Sequence, residues 1–226
     1  MTTDLAIYDM DRTITRHATY TPFLLHCAAR RAPWRLLLLP FVILSMLAYV
    51  AKLIDRGRLK EINHRLLLGH RRHPHELRPL VDGFAVKTVA GNVRPGALRA
   101  IARDKAEGRR VVMATASYTL YADAIGRKLG FDDVIGTGSI IGLDDRVHAK
   151  IDGENCYGPA KLRMVTDWLG KSGLHRGHVR FYSDHASDAP VFEWADEAVA
   201  VNPHDRLARL ATQRGWRIED WGDAHA

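Results

Sequence analysis

Apolar and polar positions follow two different periods along the chain. Short apolar runs at residues 5–8, 110–114, 134–136, 179–183, 198–201 and, more weakly, 216–218 are bounded by polar turn residues, a pattern that predicts buried strands. Between them, stretches with a 3.6-residue period at 95–107, 119–129, 159–169, 187–194 and 205–214 predict helices. Gly130, Gly170 and Gly215 follow three of these as C-terminal stops, and Pro159 suits a first helical turn. Strands that alternate with helices predict an α/β fold with a mostly parallel sheet covered on both faces. Residues 144–153 read as a small hairpin or excursion. The pattern from residue 16 to residue 94 is helical throughout, so the chain divides into a core of 1–15 and 95–226 and an insertion of 16–94. No internal repeat or low-complexity tract interrupts it.

Composition narrows the class of protein. The 226 residues are 46% hydrophobic and 26% charged, which is ordinary for a folded globular chain and excludes disorder as the default. Lys and Arg outnumber Asp and Glu by 33 to 26, giving a pI near 9.6, so phosphate-bearing partners are favoured: lipid headgroups, nucleic acid or phosphorylated metabolites. The basic charges are interleaved rather than massed, and the aromatic interleaving of a nucleic-acid surface is absent, so no nucleic-acid partner is expected. Cys27 and Cys156 form no CxxC or metal-ligand spacing, which suggests a reducing compartment without a disulfide framework. The N-terminus runs into Asp4 with no basic and apolar leader pattern, and a cytoplasmic location is expected.

In an open α/β sheet, ligands bind beyond the carboxyl ends of the strands. Asp9 and Asp11 follow the first apolar run, Thr115 and Ser117 the second, and Asp184 and Asp188 that at 179–183, while Lys161 opens the helix after Asn155, Cys156, Tyr157 and Gly158. Acids, a hydroxyl and a lysine gathered there can hold a hard divalent cation such as Mg²⁺ and stabilise a transferring phosphoryl group. Each residue also has a plainer reading: Lys161 as a solvated helix residue, Asp188 as a helix N-cap, Ser117 as a cap of the following helix, His185 as a surface histidine.

Asp9-x-Asp11-x-Thr13, Thr115, Lys161 and Asp184-x-x-x-Asp188 together resemble the four motifs of the haloacid dehalogenase-like superfamily, in order and across essentially the whole chain. The pattern is most similar to the phosphoserine-phosphatase-like subclass, and it also resembles bacterial phosphatidylglycerophosphate phosphatases of that subclass. The resemblance implies a Rossmann-like three-layer sandwich with an all-helical cap inserted after the first motif, and a Mg²⁺-dependent phosphatase. It implies Asp9 as a nucleophile forming an aspartyl-phosphate and Asp11 as general acid and base. Thr115 and Lys161 would then bind and stabilise the phosphoryl group, with Ser117 a further substrate contact. The metal set would be Asp9, the Asp11 main chain and Asp184, with Asp188 orienting Lys161 or a metal-bound water. The acid at position 11 favours phosphate esters over carbon–halogen bonds. Arg12 stands where this family often has glycine; it either alters the backbone or brings a guanidinium to the phosphate.

The insertion bears on the substrate. From residue 36 to 51 every residue except Ser45 is apolar, and Arg30, Arg31, Arg35, Lys52, Arg56, Arg58 and Lys60 flank the run. About 16 residues give roughly 24 Å of helix, short of a ~30 Å hydrocarbon core. A single crossing would also separate Asp9 from Asp184. The run therefore reads as a helix or helical hairpin, bent near Pro40, lying at the inner membrane face with its basic flanks on anionic headgroups. The alternative is a buried cap core or a dimer contact. Residues 16–21 offer no carboxylate to pair with a substrate amine, which argues against free phosphoserine and for a lipid or other bulky anionic phosphate. Three function hypotheses follow: a membrane-face phosphatase, a soluble-metabolite phosphatase, and a non-catalytic membrane or nucleic-acid binding protein.

Overall fold

The structure, a computed structural model, describes residues 2–222. It opens with strand β1 (Thr2–Tyr8), followed by helices α1 (Tyr20–Arg31), α2 (Leu39–Val50) and α3 (Arg56–Leu67), the two-residue strand β2 (Arg71–Arg72) and helix α4 (Pro74–Gly91). Next come α5 (Pro95–Ala106), β3 (Arg110–Tyr118), α6 (Thr119–Leu129), β4 (Asp133–Ile141) and β5 (Val147–Asp152). The remainder is α7 (Pro159–Ser172), β6 (His175–Ser183), α8 (Ala189–Trp194), β7 (Glu197–Val201), α9 (Asp205–Arg214) and β8 (Arg217–Glu219).

The strands form one sheet in the order β2-β5-β4-β3-β1-β6-β7-β8. All neighbours from β4 to β8 are parallel, and β5 and β2 add an antiparallel edge. Successive side chains of a strand point to opposite faces, and β1 illustrates the result. Leu5 and Ile7 join Val112, Phe181, Val165 of α7, Phe192 of α8 and Leu207 of α9. Ala6 and Tyr8 join Met113, Ile101 of α5 and Ile125 of α6 on the other face. Helices thus cover both faces, giving the expected three-layer α/β sandwich with a mostly parallel sheet, and the continuous apolar character of β1 is explained. The chain builds outward from β1 through β3 and β4, then returns to place β6 on the other side of β1. Strand order reverses at β1, so its carboxyl end opens into the crevice where such folds bind ligands.

Four expectations change. Gly170 does not stop its helix: α7 runs on to Ser172, and Gly173, with φ +70°, makes the left-handed turn that favours glycine. The region 144–153 forms most of a hairpin in which β5 pairs with a β4 longer than its apolar run. The insertion is not helical throughout, because Arg71 and Arg72 pair with Val147 and His148 of β5. Pro40 does not bend a hairpin; it sits in the first turn of α2, where its missing N–H costs nothing, after a 3₁₀ turn at Pro33–Leu38.

The insertion packs directly on the sheet's helices. Phe23 of α1 stacks on Tyr121 of α6 at 4.4 Å between centroids, and Phe84 of α4 meets both rings edge-on. Helix α2 behaves differently. Val42 and Ser45 are its buried residues, the latter donating to Asn63 of α3 at 2.7 Å, while Leu44, Leu47 and Val50 are 62%, 59% and 75% exposed. Leu44 and Leu47 therefore do not form a cap core, whereas Leu39 and Met46 pack against the buried cluster.

Candidate active site

The carboxyl end of β1 fixes the site. The Asp9 N–H still donates to Tyr182 O of β6 at 2.9 Å, as if the strand continued. The chain then turns through Met10–Ile14, with Arg12 at φ +67°. This turn swings Thr13 back under Asp9. The Thr13 hydroxyl lies 3.2 Å from both Asp9 Oδ2 and Asp184 Oδ1, and accepts the Asp184 N–H at 3.0 Å. One hydroxyl proton serves two carboxylates, so the ends of β1 and β6 are stitched together with acceptor capacity left over.

Lys161, in the first turn of α7, is 2% exposed. Its ammonium donates to Asp9 Oδ1 at 2.8 Å and to Asp188 Oδ2 at 2.6 Å. Burial alone would lower its pKa, but Asp188 and Asp9 outweigh it and raise it, so Lys161 is a fixed positive charge. Asp188 makes no helix-capping hydrogen bond; Oδ2 also accepts from Ser183, and Oδ1 is buried without a partner among the described residues. Burial pushes Asp9 up to about 7, against the pull of Lys161 and with help from Asp188 and Asp184. Burial likewise raises Asp184, opposed by the Thr13 hydrogen bond.

Asp11 faces another way. Its Oδ1 accepts the Thr19 N–H and hydroxyl, both at 2.7 Å, and its Oδ2 the Ser117 hydroxyl at 2.7 Å. Thr19 precedes α1, so this carboxylate hangs between the start of the insertion and the end of β3. Ser117 therefore holds Asp11 rather than capping α6. Thr115 is fully buried, and its hydroxyl accepts the Ser117 N–H at 3.0 Å. The cavity is lined there by Ala116 and Ser117. Arg12 reaches the rim, with its guanidinium 3.4 Å from His204 Nε2.

The cavity occupies about 340 Å³, with Asp9, Asp11, Asp184, Asp188 and Lys161 as its floor and Tyr20, Met46, Tyr49, Arg56, Leu59 and Lys60 of the insertion among its walls. Among the described residues no three Asp, Glu, His or Cys side chains are grouped to hold a metal ion by themselves; the expected set calls on only two carboxylates, Asp9 and Asp184, with the Asp11 main chain. The Asp11 side chain is held by Thr19 and Ser117, and one oxygen of Asp188 by Lys161. Two converging carboxylates, main-chain oxygens and the unpartnered Asp188 Oδ1 remain. This all-oxygen donor set fits Mg²⁺, which usually binds through one or two carboxylates plus substrate oxygens.

Sequence reasoning missed Lys60, Thr19 and Asn155. Lys60 is 5% exposed and donates to Ala116 O and, at 2.6 Å, to Asn155 Oδ1. Lys60, Asn63, His64 and Leu67 form the buried stripe of α3, so polar residues occupy its core-facing side, which the composition of the segment did not signal.

The mostly parallel sheet thus gathers an acid pair after its first strand, a buried lysine and a second acid pair after β6 around one cavity. Residues 6–193 match the haloacid dehalogenase-like hydrolase family, and the chain belongs to it. It is 33% identical over 114 residues to a phosphoserine phosphatase of Mycobacterium tuberculosis, an alignment covering 50% of this chain and 37% of that relative. It thus spans well under half of that relative's length. A protein of unknown function from Bordetella pertussis superposes with a TM-score of 0.87 at 24% identity, covering 98% of this chain and 100% of the other. A phospho-aspartyl intermediate analogue of phosphoserine phosphatase superposes with a TM-score of 0.62 at 16% identity, covering 96% and 93%.

Proposed function

We propose that the protein hydrolyses phosphomonoesters through an aspartyl-phosphate on Asp9, with residues 16–94 acting as a cap over the site. The observation that carries this reading is Lys161, buried and bridging Asp9 and Asp188 beside a second carboxylate, Asp184. An Asp9 oxygen attacks phosphorus and the ester P–O bond breaks. Asp11, in its protonated form, gives its proton to the leaving oxygen. Asp11 then takes a proton from water as the water oxygen attacks phosphorus, and the P–O bond to Asp9 breaks. Lys161 offsets charge on the phosphoryl oxygens, and Thr115 braces the Ser117 backbone that frames them. Asp9, the Asp11 main chain, Asp184 and Asp188 would hold Mg²⁺, which supplies positive charge to the phosphoryl group. The named relatives, a phosphoserine phosphatase and a phospho-aspartyl analogue, support this chemistry.

The substrate reading is a lipid or bulky anionic phosphate met at the inner membrane face. Met46 and Tyr49 line the cavity from α2, and the outer side of the same helix exposes Phe41, Leu44 and Leu47. Arg30, Arg31, Lys52 and Arg58 flank it, complementing anionic headgroups. The Pro33–Val50 stretch is long and apolar enough to cross a membrane by length and composition, yet Asp9 and Asp184 lie on either side of it in sequence and share one site. A second reading, a soluble-metabolite phosphatase whose α2 face is covered by another copy of the chain, rests on the same exposed leucines.

Hydrolysis of 4-nitrophenyl phosphate that requires Mg²⁺ and disappears in Asp9→Asn tests the chemistry; a folded wild type inactive on every phosphoester would remove it. Flotation with vesicles of anionic lipid, lost in Leu37→Glu/Leu44→Glu, tests the membrane reading. A wild type that stays with the soluble fraction and sediments as a dimer favours the second.

A further inference from the structure

Inside the cavity the two walls differ in charge. All four acids belong to the core, whereas segment 16–94 contributes two cations, Arg56 and Lys60, and no acid. The two lie four residues apart on α3, one helical turn, so they share a face. Neither has a carboxylate partner among the described residues. The Lys60 ammonium is held by neutral acceptors, Ala116 O and Asn155 Oδ1, and stands over the faces of Tyr20 and Tyr118 at 5.7 and 5.9 Å. The Arg56 guanidinium lies 4.1 Å above the Tyr157 ring. Hydrogen bonds to neutral groups satisfy donors but leave the charge unbalanced, and taking an ammonium out of water without a counter-ion is costly. Burial accordingly pushes Lys60 down to about 7, with Arg56 adding to the effect and Asp11 opposing it. An amine so placed gains its full charge when an anion arrives beside it, and so is suited to meeting one carried by the substrate.

We propose that Lys60 and Arg56 form a second anion subsite, which recognises a phosphate or phosphodiester group on the leaving alcohol and so selects monoesters that carry a second negative charge. The inference rests on the phosphomonoesterase reading and names its substrate class. The scissile phosphate sits over Asp9. The second anion faces α3, and the apolar remainder of the leaving group meets Met46, Tyr49 and Leu59. Lys60 and Arg56 take no part in bond breaking, so the subsite acts on binding.

The test compares glycerol 1,3-bisphosphate with glycerol 1-phosphate. The wild type is expected to show a higher kcat/KM for the bisphosphate by about tenfold or more, the scale of one charge-assisted hydrogen bond. Lys60→Met is expected to raise KM for the bisphosphate at least about tenfold more than for the monophosphate, and Lys60→Arg to restore the preference. Equal losses on both substrates, or a wild type with no preference, would overturn the proposal. Thermal melts establish that each variant is folded, and Arg56→Met, at the cavity rim, replaces Lys60→Met if the latter does not fold. Activity on 4-nitrophenyl phosphate without preference for the bisphosphate sinks the subsite and spares the chemistry. Absence of all turnover sinks the chemistry, and calorimetric titration of glycerol 1,3-bisphosphate into Asp9→Asn then decides the subsite: binding that Lys60→Met weakens supports it, and no binding overturns it.

Discussion

Two buried clusters of charge lie along the same strands, and they use their hydrogen bonds differently. Beneath the sheet's helices, Asp104 of α5 is fully buried and accepts from the hydroxyls of Tyr8 and Tyr182 and from Arg180. Arg103 in turn donates to Tyr182 at 2.7 Å. At the carboxyl ends of β1 and β6, the cluster of Asp9, Asp184, Asp188 and Lys161 keeps one oxygen without a partner and shares one hydroxyl between two carboxylates. Asp104 has its acceptors taken up by neighbours. Asp9 and Asp184 are raised by burial and poised for a ligand. A closed network holds structure together, while an open one retains the capacity for chemistry.

The contrast can be broken by exchanging stability for activity. Lys161→Met is expected to lower kcat on an aryl phosphate by about a hundredfold to a thousandfold, because preorganised charge at the phosphoryl group is lost. Steady-state kinetics on the folded variant checks it. Asp104→Ala is expected to lose about 1–3 kcal/mol in urea unfolding, since it leaves the buried hydroxyls of Tyr8 and Tyr182 without their acceptor, while kcat per folded molecule changes little. If instead Asp104→Ala were as inactive as Lys161→Met while folded, the two clusters would not be separable.

Lys60 sharpens the comparison through pH. Its folded pKa is depressed to about 7, whereas the unfolded chain titrates near 10.4. Between these values the unfolded state binds a proton that the native state has released, so this group makes stability rise with pH from about 7 toward 10, at up to about 1.4 kcal/mol per pH unit. The groups acting on it include Arg56, Lys161, Asp11 and Cys156. Urea titrations at pH 7 and 9 should show a smaller pH difference in Lys60→Met than in wild type; identical differences would place Lys60 in water. The smallest effect belongs to Arg12. Relieving its left-handed backbone by Arg12→Gly is expected to change stability by no more than about 1 kcal/mol, the strain being offset by glycine's greater unfolded entropy. A melting curve is sufficient to check it.

Much of the candidate site is legible in the chain because its acids follow two apolar runs, Asp9 and Asp11 that at 5–8 and Asp184 and Asp188 that at 179–183. Asp9, Asp11 and Asp184 need only the rule that ligands gather beyond strand ends, and Lys161 only its place at a helix start. Lys60 and Thr19 were not legible in that way. Their contacts depend on how α3 and the start of α1 fold back over the sheet, a tertiary path that no local period encodes. The exposure of α2 was hidden for a related reason, since a buried helix and an unpartnered apolar helix have the same composition. Gly170 and Gly173 are equally good stops in sequence, and only the φ of Gly173 distinguishes them.

The central claim is that Asp9 carries the phosphoryl group. Acid quenching during turnover of a ³²P-labelled monoester, followed by peptide mapping, measures this directly. The expected result is an alkali-labile label on the peptide containing Asp9, absent from Asp9→Asn. A fully active wild type that carries no label, or carries it on another residue, would contradict the account.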